Sequence, residues 1–248
     1  ASNLTHCVLG YPPSNDFRKK ILGFCTGKYN LVPIAAIVAP MEQAFGKANL
    51  AYDVRYKNID DRIICIDYIF KTVQSKTKKV GDIMSPMVSL MHSYSGEVSF
   101  QLNMSCKRLV CANGMTIPVA QDKIKRKYTL GLTPEFLSEA IDSVMNFLHS
   151  FSNILKVFKV LEERKLTTHE VRILQEDIKE KSDFSPRLLL PSLEVAYQEL
   201  ERLRNPSMDA WTLYNGFNYQ LNHHSDTPDI TKLAIDRQLQ SIFYETVN

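Results

Sequence analysis

No apolar run in this 248-residue chain reaches the ~18 residues that cross a bilayer. The longest, around Ile34–Pro40, is bounded by Pro33 and Pro40, so no membrane span is expected. The first residues lack a charged-then-apolar signal pattern. The five cysteines, Cys7, Cys25, Cys65, Cys106 and Cys111, are odd in number and nowhere spaced CxxC. That argues against a disulfide framework and a zinc ribbon, and suits packed thiols in a reducing compartment. HExxH is absent, and Gly23-Phe-Cys-Thr-Gly27-Lys28 fails as a phosphate loop because only three residues separate its glycines and Tyr29 follows the lysine. Neither an internal repeat nor a low-complexity segment is visible. The resulting expectation is a soluble cytoplasmic protein with no cofactor, no metal, no membrane partner and no catalytic residue.

What the chain does have is segregated charge. The formal net charge is only +3, but residues 71–128 carry +7, against +2 before them and −6 after. A basic middle in a nearly neutral protein favours a polyanionic partner.

The β-to-α change follows the same division. Ala51–Lys57 and Arg62–Lys71 are rich in β-branched and aromatic residues, and Asn58-Ile59-Asp60-Asp61 can turn between them. Lys71–Gly81 reads as a basic exposed loop. In Glu97–Lys107, Val98, Phe100, Leu102, Met104 and Cys106 alternate with polar residues, which predicts a strand with one apolar face. Pro86–Tyr94 should pair with it through Ser95-Gly96. One-sided polarity of this kind implies an antiparallel sheet with a wet or ligand-facing side. Before the sheet, Phe17–Phe24 reads as a short helix, Leu31–Val38 as a strand interrupted at Pro33, and Ala39–Phe45 as a short helix starting near Pro40.

Past Leu130 the period becomes helical. Thr133 can cap and Pro134 suits the first helical position, and apolar residues recur from Leu137 to Phe158. A helix over 134–163 would be about 45 Å long. Thr167-x-x-Glu170 predicts a capping box for a second helix to about Lys181. Further helices are expected at 192–204, 208–222 and 229–245. The fold class is thus α+β: antiparallel hairpins, then a long helix and a helical region. The expected division is a basic region, 1–128, and an acidic helical region, 129–248, packed as one domain.

Ser93-Tyr94-Ser95-Gly96 is followed by Lys107-Arg108-Leu109-Val110-Cys111-Ala112-Asn113-Gly114-Met115, then Lys123-Ile124-Lys125-Arg126-Lys127-Tyr128-Thr129, and later Trp211-Thr212-Leu213-Tyr214-Asn215-Gly216-Phe217-Asn218-Tyr219. In this order the segments resemble the phage/plasmid-like proteins grouped as a domain of unknown function (DUF 932), over roughly residues 86–222. The resemblance implies a mobile-element origin and a bacterial host cell, with no established activity. Members of that family often carry a histidine in the basic run, where this chain has Arg126 and Lys127. At the level of architecture alone, a basic β-meander before one long helix is also similar to single-strand annealing proteins.

The expected function is non-enzymatic binding of nucleic acid, single-stranded DNA, with annealing in recombination as its extension and a homo-oligomer as its form. Lys76, Lys78, Lys79, Lys107, Arg108, Lys123, Lys125, Arg126 and Lys127 would contact phosphates, and Tyr128 would stack on a base, with Tyr56, Tyr68 and Tyr94 as further candidates. Stacking contributes ~1–3 kcal/mol per base in such proteins. Two rival classes remain. One is a protein-interaction module, such as an inhibitor of a host defence factor. The other is a magnesium-dependent nuclease using Asp60, Asp61, Asp53 and Asp67. His223-His224-x-Asp226 reads as a polar helix end, since adjacent helical residues point about 100° apart. A Cys111–His92 dyad is disfavoured by the apolar run around Cys111. Trp211, Tyr214, Phe217 and Leu221 form an aromatic stripe expected to pack inside.

Overall fold

Strand formers dominate the first half of the chain and amphipathic helices the second, and the computed structural model is α+β in that order. It describes residues 6–10, 19–59, 62–73, 75–76, 83–108 and 115–247. Side chains at 57–59, 75–76, 108, 115–123, 154, 157, 229, 230, 233, 246 and 247 lie outside that description.

Strands β1 (His6–Gly10) and β2 (Lys20–Cys25) form an antiparallel pair. The helix expected from Phe17 is therefore a strand where it is described. Helix α1 (Ile34–Lys47) replaces the strand expected at Leu31–Val38 and begins well before Pro40, which lies inside it. Pro33 is its extended N-cap residue and offers no side-chain cap. The Tyr94 hydroxyl instead accepts from the Ile34 amide at 3.3 Å, so a distant residue starts the helix.

A second sheet runs β3 (Tyr52–Ile59), β4 (Ile63–Phe70), β6 (Ile83–Ser93), β7 (Phe100–Arg108) and β8 (Met115–Arg126), with the two-residue β5 (Ser75–Lys76) also paired to β6. The β3–β4 hairpin matches expectation, with Tyr52 opposite Phe70 and Ile59 opposite Ile63. Ile37, Met41 and Phe45 recur every four residues on α1 and are buried. Phe45 meets Tyr52, Tyr68 and Phe70 with ring centroids 5.6, 5.5 and 5.0 Å away. Strand β7 corrects one expectation. It lies between β6 and β8, and its polar residues Gln101, Asn103 and Ser105 are as buried as its apolar ones. Among its described side chains, 100–107, there is no wet face.

The helices are α2 (Pro134–Glu163), α3 (Thr168–Lys181), α4 (Leu189–Arg202), α5 (Ala210–His223) and α6 (Asp229–Val247). Thr133 accepts from the Phe136 amide at the start of α2. The Thr167–Glu170 capping box closes in both directions, at 3.2 and 2.8 Å. Among the described residues, no helix is long and apolar enough to cross a membrane.

The chain forms two compact units. One comprises Ala1–Gln74, Ser85–Ser105 and Gln121–His149, and the other Ser75–Met84, Cys106–Ala120 and Ser150–Asn248. Their division does not coincide with the charge change near residue 129.

Candidate nucleic-acid interface

The basic run at the end of β8 divides by strand alternation. Lys125 and Lys127 are exposed, while Arg126 turns the other way. The Arg126 Nε donates to the Gly131 carbonyl at 2.6 Å, and its terminal nitrogen donates to Leu130 at 3.3 Å. Its guanidinium also sits 4.4 Å from the Phe136 ring centroid, and that ring packs edge-on against Phe100. Arg126 thus fastens the strand end to the start of α2, and three of its attractions are already satisfied within the protein.

Tyr128 is 3% exposed and cannot stack on a base. Its hydroxyl accepts from the Ser93 amide at 2.9 Å and reaches His92 Nδ1 at 2.8 Å. Which of these two atoms donates is set by the His92 tautomer. Tyr29 packs on Tyr128 at 5.1 Å and donates to the Ser93 carbonyl at 2.7 Å, and Tyr94 meets His92 edge-on at 4.8 Å. Burial drives the His92 pKa down to about 4, with the Val32 carbonyl only partly offsetting it. Burial also pushes Tyr128 up to about 12 and raises Tyr29 and Tyr94. A buried neutral histidine and a buried Tyr128, flanked by the half-buried and protonated Tyr29 and Tyr94, form a packing cluster with no charged acid or base at neutral pH.

The other predicted residues fall into two groups. Lys107 is 6% exposed and is not a surface cation. Lys78 and Lys79 lie outside the described residues, as do the side chains of Lys76, Arg108 and Lys123. Of the candidate stacking residues, Tyr68 is fully buried and Tyr94 half-buried. Tyr56 is exposed, but on β3, at the opposite end of the strand order from β8. Of the candidate residues, the described exposed ones are therefore a pair of lysines, Lys125 and Lys127, without a described stacking platform beside them.

The rival chemistries gain little geometry. Asp53 pairs with Lys71 at 2.7 Å, and Asp67 accepts from the Ser89 hydroxyl at 2.6 Å. Asp60 and Asp61, like Cys111, lie outside the described residues. Among the described residues, no group of three His, Cys, Asp or Glu side chains is placed to hold a metal. His223 and His224 both lie against Tyr219, at 4.7 and 5.7 Å. None of the four described cysteines is in a disulfide.

A second buried cluster was not foreseen from the sequence. Asp236 on α6 is buried, and its Oδ1 accepts from Tyr214 at 2.7 Å and Asn218 at 2.6 Å. Gln240 donates to Tyr214 Oη at 3.2 Å and to Asp236 Oδ2 at 3.4 Å. Desolvation raises the Asp236 pKa to about 7 despite these donors. The spacing Tyr214, Asn218 on one helix and Asp236, Gln240 on the next was a legible signal for it, two i,i+4 polar pairs inside otherwise apolar stripes.

Both clusters include residues of the segments that suggested a family, Ser93, Tyr94 and Tyr128 in the first and Tyr214 and Asn218 in the second. In Ser93-Tyr94-Ser95-Gly96, Ser93 takes Tyr29 and Tyr128, and Gly96 has φ +77° with the Tyr29 ring 3.1 Å from where a Cβ would stand. In the later segment, Trp211 is buried 5.1 Å from Phe158, and Asn215 donates to the Trp211 carbonyl at 2.8 Å. An α+β protein with an edge-strand lysine pair and two buried polar clusters is the class so defined. The chain belongs to the family described as domain of unknown function (DUF932), whose family model matches residues 21–241. No curated protein and no solved structure matches it.

Proposed function

We propose that the protein binds nucleic acid, single-stranded DNA in the first instance, through phosphate contacts centred on Lys125 and Lys127. The observation that carries this reading is the outward projection of both lysines from the end of β8, inside a segment of net charge +7. Buried Tyr128 removes the expected stacking contribution, so affinity rests on counterion release and is steeply salt-dependent. Annealing is the activity such a surface would support if it holds strands without reading their bases.

Fluorescence anisotropy with labelled single-stranded and duplex DNA across a salt series tests the proposal. Lys125→Ala with Lys127→Ala should lower the log–log salt slope by about two units and leave the melting temperature unchanged. Arg126→Ala should do the reverse, with an unchanged slope and a loss of about 1–2 kcal/mol of stability from its two carbonyl bonds and ring contact. No binding at low salt would refute the reading. Equal binding of duplex would refute the strand preference.

A protein-interaction module is the second reading, favoured by the outer face of the β1–β2 pair. There Leu9, Ile21 and Phe24 are all exposed, while Val8, Leu22 and Cys25 form the buried face. An apolar cluster of this kind on a small sheet suits a protein surface better than a phosphate backbone. If the first reading fails, Phe24→Lys is the variant that would abolish a partner's binding.

A further inference from the structure

The outer edge of β3 carries its own complement. The Ala51 carbonyl accepts from the Lys71 amide at 2.8 Å and so points at β4. Backbone direction alternates along a strand, so residues 53 and 55 also face β4, and the amides and carbonyls of Tyr52, Val54 and Tyr56 face away from it. Among the described residues no strand pairs with that edge. Side chains on it are unusually apolar for an open edge, with Val54 49% and Tyr56 60% exposed. Neither Pro nor a bulge interrupts the pairing of β3 with β4.

We infer that β3 pairs antiparallel with β3 of a second copy about a twofold axis at Val54. Hydrogen bonding requires the outward residues 52, 54 and 56 to oppose one another, which allows only registers whose paired numbers have an even sum. Centring on Asp53 would set Asp53 against Asp53, and centring on Arg55 would set Arg55 against Arg55. Centring on Val54 sets Asp53 against Arg55 twice, Tyr52 against Tyr56 twice and Val54 against itself. Unlike charges and aromatic pairs are then both directly opposed, the favourable arrangement on each face. Arg55 has no ion-pair partner among the described residues, whereas Asp53 has only the exposed Lys71. The second Asp53 supplies the missing partner. Pairing is isologous and closes at two copies, joining the two sheets edge to edge and covering Val54 and Tyr56.

Sedimentation velocity on the full chain over a concentration series tests the inference, with charge swaps to read the register. The chain should form a reversible dimer. Arg55→Asp alone, or Asp53→Arg alone, opposes like charges twice and should weaken the dimer at least ~10-fold. The double swap restores opposition of unlike charges and should bring the dimer back. Both positions are exposed, so circular dichroism melts should show that the single swaps remain folded. In a Cys7→Ser background, Val54→Cys should cross-link to itself on mild oxidation, because paired Cα atoms lie about 5.5 Å apart. Tyr56→Cys should not, since it faces residue 52. A monomer at every concentration, a dimer indifferent to Arg55→Asp, or a double swap that fails to rescue would overturn the inference.

Discussion

Gly216→Ala should cost about 2–4 kcal/mol of stability and lower the urea midpoint accordingly, although alanine is the better helix former. Gly216 lies inside α5, where helix propensity alone favours alanine by roughly 1 kcal/mol. Packing opposes it. A Cβ there would stand 2.3 Å from the Ser192 carbonyl oxygen and 3.0 Å from Ala196 Cβ. Both belong to α4, whose buried stripe is Ser192, Ala196 and Leu200. A backbone carbonyl cannot rotate aside, and the Ser192 hydroxyl is already held by Leu188 at 2.7 Å. Relief requires α4 to move away from α5 along that stripe. Gly46 is the internal control. It is exposed near the end of α1, and a Cβ there would meet nothing within 4 Å. Gly46→Ala should therefore raise stability by up to about 1 kcal/mol. The same substitution thus has opposite signs at two helical sites. Equal effects at both would show that α4 and α5 are not in contact at Gly216. Trp211, the chain's single tryptophan, lies on the same helix and reports the α5 result directly by fluorescence.

Local signals were legible in the sequence and tertiary ones were not. The capping box at Thr167 and the Thr133-Pro134 start of α2 involve neighbours within four residues, and both stand as expected. The first forty residues misled because Pro33 and Pro40 read as breaks. Pro33 is instead the residue before α1, and Pro40 is carried within a helix whose apolar side packs into Tyr52, Tyr68 and Phe70. For β7 the alternation gave the strand but could not say what covers its polar side; the described side chains of this strand are buried on both faces, which an antiparallel strand does not require. The site divides the same way. Sequence shows the charge of Lys125 and Lys127, which stay in water. It cannot show that Arg126 is spent on Gly131 and Phe136, nor that Tyr128 is committed to His92 and Ser93.

Changing pH should reveal two buried groups acting in opposite directions. An unfolded histidine titrates near 6.5, and His92 in the folded protein at about 4. Between those values the unfolded state holds the extra proton, so His92 contributes stability that grows with rising pH and is lost as pH falls below 6.5. The span corresponds to about 3 kcal/mol. An unfolded aspartate titrates near 3.8 and Asp236 in the folded protein at about 7. Here the folded state holds the extra proton, so stability falls as pH rises through that window and stays low above about 7, by roughly 4 kcal/mol. Where the windows overlap the two slopes oppose each other. Asp236→Asn separates them. Its amide oxygen can still accept from Tyr214 and Asn218, and Gln240 can turn its own carbonyl toward the new amide nitrogen. The variant should match the parent in mild acid and exceed it above neutrality by a few kcal/mol, because no buried charge remains to be desolvated. Its remaining pH dependence should rise with pH, the direction that His92 dictates and that His223, whose pKa burial also lowers, reinforces. His92→Asn keeps an acceptor for Tyr128 and should leave the opposite slope, falling with pH, as Asp236 dictates. Urea midpoints across the acid-to-neutral range, followed by Trp211 fluorescence and by circular dichroism, measure both slopes. An Asp236→Asn protein less stable than its parent above neutrality would show that the ionised carboxylate, with its three donors, is the form the helices were built to hold.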